Sequence, residues 1–220
     1  MSARAPRLAL AALAVAMTLA ALSIPAPARA QSGAHEDARL DARLAPETRG
    51  AVLAIVDSAR AEGLPGDPLV LKALEGASKG AAGPRIVAAV RALRGRLREV
   101  RDALGPSAAP EELVAGESAL RAGATRDELT RLRAARPGES LTVPLAVLSD
   151  LIARGVPADT ASSIIRDLAR RGAGDDGFFA LRTDVERDIM AGAAPLGAAT
   201  ARAREIPVRP APPRVPPPEE

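Results

Sequence analysis

The chain has 220 residues, 47% hydrophobic and 26% charged, yet no Cys, Trp or Tyr, two Phe and one His. That excludes a disulfide framework, thiol chemistry, Cys-ligated zinc and any multi-His metal site, and it disfavours sugar sites that stack rings on Trp or Tyr. The high calculated isoelectric point says little about partners, because Lys72 and Lys79 are the only lysines among 30 basic residues and the rest are arginines that stay charged far above neutrality.

Residues 1–30 read as a secretory signal: Arg4 and Arg7, an apolar run from Leu8 to Leu22, then Ala28-Arg29-Ala30 as an A-x-A cleavage pattern. The run is short for an anchor, and contact with the membrane is expected to be transient. Cleavage after Ala30 removes three arginines and no acid, leaving 27 basic against 27 acidic residues. Residues 31–47, with His35, Glu36, Asp37 and Pro46, read as a flexible lead-in holding at most one weak helical turn.

From there apolar residues recur at threes and fours and no stretch alternates at period two, so the body reads as all-α. The predicted helices are 48–62, 67–79, 84–104, 110–122, 125–136, 143–154, 158–171, 175–191 and a weaker 194–204. Pro68, Pro84 and Pro110 fall in first turns, where a missing N–H costs nothing. Thr125 with Glu128 fits a capping box, and Gly63, Gly80, Gly105, Gly123, Gly138, Gly155 and Gly172 mark helix ends. Residues 205–220 carry seven prolines and read as an extended, disordered tail with two P-x-x-P steps, either a spacer or a ligand for a partner's groove.

Sliding the chain by 92 residues lays Ala51–Ala81 over Val143–Ala173, pairing Gly63 with Gly155, Pro65 with Pro157, Asp67 with Asp159 and Gly80 with Gly172. Residues 48–105 and 143–204 therefore read as two copies of one helical unit, the alternative being convergence of Ala-rich helices, joined by a connecting helical hairpin at 106–142. The expected fold is stacked helical hairpins or an irregular helical bundle, with that internal duplication.

Within helix 84–104, Ile86, Val90, Leu93, Leu97, Val100 and Leu104 make an apolar seam at alternating spacings of four and three. Beside it stand Arg91, Arg94, Arg98 and Arg101, either solvated arginines on a core helix or a basic partner-facing surface. The corresponding helix 175–191 is acidic, so the two are candidates to face each other within one chain or between copies. Phe178 and Phe179 are adjacent; burial of both is expected, and exposure of one would mark a contact surface.

Catalytic patterns are poor. No Ser-x-x-Lys pair occurs, and His35 falls in the lead-in, leaving serine nucleophiles without a base. Gly76-Ala77-Ser78-Lys79-Gly80 satisfies a G-x-S-x-G string without the preceding strand or following His, and reads as a helix end. Glu111 and Glu112 read as first-turn residues, Glu117 as mid-helix, and Asp175 and Asp176 as a turn leading to a cap, rather than as acid–base pairs.

No catalytic, cofactor or metal residue is assigned. The expected function is that of an exported, non-catalytic helical scaffold or protein-binding module of the cell envelope, periplasmic or extracellular. It would act on another envelope protein or on its own copies, without nucleic acid or a small-molecule cofactor. The alternatives are a carboxylate-dependent hydrolase of an envelope polymer, and a binder of anionic polymer or lipid through helix 84–104.

Overall fold

The computed structural model describes residues 39–207; the signal segment, the first part of the lead-in and the proline-rich tail from residue 208 lie outside the described residues. Those residues are helical throughout, with no strand among them, and no helix among them is long and apolar enough to cross a membrane. After a turn of helix at 39–41 come α1 (Pro46–Ala61), α2 (Asp67–Ser78), α3 (Gly83–Leu104), α4 (Pro110–Ala122), α5 (Arg126–Ala135), α6 (Thr142–Ala153), α7 (Ala158–Arg170), α8 (Asp175–Met190) and α9 (Pro195–Glu205).

Boundaries fall within a few residues of the expected ones, for the local reasons anticipated. Prolines sit in the first turns of α1 to α4 and α9. At α5, the Thr125 hydroxyl accepts from the Glu128 N–H at 3.3 Å while the Glu128 carboxylate accepts from the Thr125 N–H at 2.7 Å. Each glycine singled out as a helix end has positive φ, as does Gly192.

The lead-in and tail need correction at their inner edges. Leu40 and Leu44 are buried in the core and Pro46 opens α1 rather than preceding it. Ile206 is buried instead of belonging to the tail, and Ala198, Ala199 and Ala203 of α9 are buried with it. In each case a few apolar side chains suffice to fix a segment whose composition is otherwise polar or proline-rich.

The two corners in each unit that the 92-residue shift pairs close with the same hydrogen bonds, a helix-stop pattern that also closes the helices at Gly123-Ala124 and Gly192-Ala193. At the α1–α2 corner, Gly63 and Leu64 donate to the carbonyls of Arg60 and Ala59; at the α6–α7 corner, Gly155 and Val156 donate to Ile152 and Leu151. At the next corner, Gly80 and Ala81 donate to Ala77 and Gly76, matched by Gly172 and Ala173 donating to Ala169 and Leu168. Each corner is a left-handed helix stop that satisfies two otherwise orphan carbonyls, and each recurs 92 residues on with the same donors and acceptors in register.

The third helices are placed differently. α3 lies directly along α2, because Gly76 has no side chain: a Cβ there would sit 2.9 Å from Ile86 Cγ1. The equivalent residues in the second unit are Leu168 and Phe178, both buried, and α7 and α8 form no packed interface. Helix α9 packs against both instead. The connecting segment is likewise a corner more than a hairpin: α4 lies chiefly on α6 and α5 on α3 and α7. Helices α3 and α8 do not pack on each other, so the basic and acidic helices are not intrachain partners.

Packing without aromatics depends on glycine at the α3–α4 crossing too, where a Cβ on Gly116 would lie 2.5 Å from Val100 Cγ1. Gly116→Ala is expected to lower stability by about 1–3 kcal/mol through overpacking. On the open face of α3, Gly95→Ala meets nothing within 4 Å and is expected to raise it by about 0.5–1 kcal/mol. Chemical denaturation of the two variants checks the contrast.

Candidate functional site

The seam of α3 is buried along its length, so this helix is part of the core and its arginines flank the buried stripe. Their fates diverge. Glu62, just past the end of α1, accepts from both Arg94 and Arg98, the latter through Nη2 at 2.8 Å, and Arg94 also donates to Ser58 Oγ at 2.9 Å. Hydrogen bonds from Arg98 and then Arg94 hold the Glu62 carboxyl below its ordinary range, against the opposing effect of desolvation. Arg101 is laid against Gly63, where its Nε and Nη2 are buried without a hydrogen-bond partner near the carbonyl end of α1, a site that favours a cation. Arg91 is exposed. Of the four predicted partner-binding arginines, two are thus engaged by one glutamate and one packs over a helix end.

Phe178 is fully buried, with the Arg136 guanidinium 5.5 Å from its ring centroid. Phe179 is 41% exposed, which corrects the expectation that both are buried: one helical step of about 100° turns it out of the core, where Arg182 lies 5.4 Å from its ring. Met190 and Leu196 are also exposed nearby in sequence.

The buried acids are occupied by structure. Glu112 Oε1 accepts from the Leu141 N–H at 2.6 Å and from Arg133 Nη2 at 2.7 Å, while Oε2 accepts from the Ala109 N–H at 2.9 Å. Burial pushes this carboxyl up, but the two backbone donors and Arg133 outweigh it and leave it below the usual carboxylate range. Glu117 is held by Arg96 Nε at 2.8 Å. Arg133 also donates to the Glu139 carbonyl, so Glu112 and Arg133 together clasp the loop between α5 and α6. Sequence reading took Glu112 for a capping residue, which it is, and missed its tie to Leu141, a contact 29 residues away with no local signal.

A groove of about 540 Å³ runs between α2 and α3, lined by Lys72, Glu75, Gly76, Lys79, Arg85 and Ile86 among others. Glu75 takes hydrogen bonds from Lys79 and Lys72, which hold its carboxyl down to about 2. One acid thus stands against three cations, so the groove keeps a positive surplus. Both lysines of the chain are here, although nothing in the sequence signals that they share a surface. Among the described residues no group of three or more potential ligands is arranged to hold a metal.

Glu112→Gln is expected to cost about 1.5–3 kcal/mol at neutral pH, through loss of its charge-assisted hydrogen bonds. Because the folded carboxyl titrates below its unfolded value, that contribution is complete above the unfolded pKa and disappears as pH falls through the folded one. The gap between parent and variant in denaturant titrations should therefore close in acid. A scan of the whole chain against protein-family models, and searches of curated proteins and of solved structures, give no match.

Proposed function

We propose that this chain is an exported, non-catalytic helical binding module of the cell envelope, and that the α2–α3 groove is its docking surface. The observation that carries this reading is the comparison of the two units. In the second, Ile164, Asp167 and Arg171, the counterparts of Lys72, Glu75 and Lys79, share a seam with Thr200, Ala203 and Arg204 of α9. Arg171 Nη2 donates to the Ala203 carbonyl at 2.9 Å, and Ile206 packs at Gly177, the counterpart of Arg85. In the first unit no described helix takes the place of α9, and the same positions are lysines and an arginine around an open groove. An apolar floor with a cationic rim suits a protein segment carrying carboxylates.

The hydrolase alternative draws less support, because Glu112 and Glu117 are already committed to backbone donors and arginines. Binding of an anionic polymer or lipid keeps a specific observation in its favour, the exposed arginines Arg85 and Arg91 on α3.

A photo-crosslinking side chain placed at Lys72 or Arg85 in the native envelope is expected to give a discrete protein adduct, and one at exposed Arg170 on α7 none. Adducts to polymer or lipid alone would favour the anionic-surface reading. Turnover of an envelope polymer by purified protein, lost in Glu117→Gln, would overturn the non-catalytic one.

A further inference from the structure

The docking groove raises the question of what fills it when no partner is bound. Resting on the reading of the groove as a protein-binding surface, we propose that the chain's own N-terminal segment, residues 31–38, occupies it through Glu36 and Asp37, so that a partner must displace a built-in competitor.

Three observations converge. In the second unit the chain itself reaches the counterpart surface, where Arg171 donates to the Ala203 carbonyl and Ile206 packs at Gly177, although Asp167 beside them stays exposed. Charge selects the segment: Lys72, Lys79 and Arg85 outnumber Glu75 in the groove, and residues 31–38 carry Glu36 and Asp37 with no Arg or Lys. Helix α9 of another copy is a poorer fit, since Arg202 and Arg204 would approach like charge.

Position supplies the third. Arg39, the first described residue, lines a hollow of about 350 Å³ together with Ser78, and the next residue, Lys79, lines the groove. At roughly 3.3–3.6 Å per extended residue, two or three residues of chain before Arg39 span about 7 to 11 Å, and self-occupancy requires that this reach bring Asp37 or Glu36 to the Lys79 ammonium. Exposed ion pairs of this kind are individually weak and screened by salt, which gives a displaceable and salt-sensitive cover.

The chain is well suited to a direct test. Its only side-chain amines, Lys72 and Lys79, both line the groove, so zero-length carbodiimide coupling of carboxylate to amine reports what sits there. Protein purified from expression of the full-length sequence is coupled at low and at about 1 M salt, where the screening length falls to about 3 Å, and digested for mass spectrometry. The expected product joins Glu36 or Asp37 to Lys79 within one chain, falls at least several-fold at high salt, and is lost in Glu36→Gln/Asp37→Asn. Glu75 links to either lysine persist throughout as the internal control for the chemistry.

Glu75 links alone overturn the proposal. So do links from Glu219 or Glu220, or links joining labelled to unlabelled copies in a mixture, which assign the groove to the tail or to self-association. If partner adducts still form from Lys72 and Arg85 in the envelope while no link to residues 31–38 appears, self-occupancy fails and the docking groove stands.

Discussion

A core built almost without rings leaves the helices of this chain dependent on how closely their backbones approach. Leu, Val, Ile and Ala fill little space each, so gaps are closed by bringing helices together at glycine or alanine, and native-like density leaves small tolerance for a methyl group out of place. Gly116 under Val100 and Gly76 under Ile86 are two apolar crossings where a Cβ would not fit. The rest of the arrangement follows from these crossings. Where the second unit carries Leu168 and Phe178 in place of Gly76 and Ile86, its third helix no longer lies along its second, and α9 is drawn in against both. One corner geometry thus supports two outcomes, one flanked by α9 and one with no described helix alongside it.

Electrostatics is used for construction as much as for recognition. Glu62 joins α1 to α3, Glu117 joins α4 to α3, and Glu112 with Arg133 ties α4 to α5 and to the loop before α6. Arg136, buried at the start of that loop, donates to the Ala173 carbonyl and lies over Phe178, linking the connecting segment to the second unit. Arginine suits this work because its planar group presents several fixed donors and packs on a ring at modest desolvation cost. The arginine excess is therefore spent partly inside the fold, and the basic surface that remains is smaller and differently placed than a count of charges implies.

The parts of this architecture legible in the sequence are those governed by near neighbours. Prolines in first turns, the Thr125–Glu128 box and the helix-ending glycines act within four residues, and the apolar seam of α3 follows from its spacing alone. The corners themselves were legible because a left-handed helix stop demands glycine at a fixed place. What escaped depends on contacts distant in the chain. Nothing near Leu40, Leu44 or Ile206 announces burial, Phe179 differs from Phe178 only by its turn around α8, and the fate of each arginine is set by whichever acid another helix delivers. The groove escaped for the same reason: it exists because α3 meets α2 as it does while no described helix covers them.

The account stands on the claim that the two units share a corner and differ in its cover. Since the chain lacks cysteine, single thiols can be placed at Ala81 on the open groove and at its buried counterpart Ala173, and their reaction with a bulky maleimide followed in the folded protein at high salt. Rapid labelling at position 81, with protection at 173 until the protein is unfolded, is the predicted result. Equal rates at the two positions would contradict it.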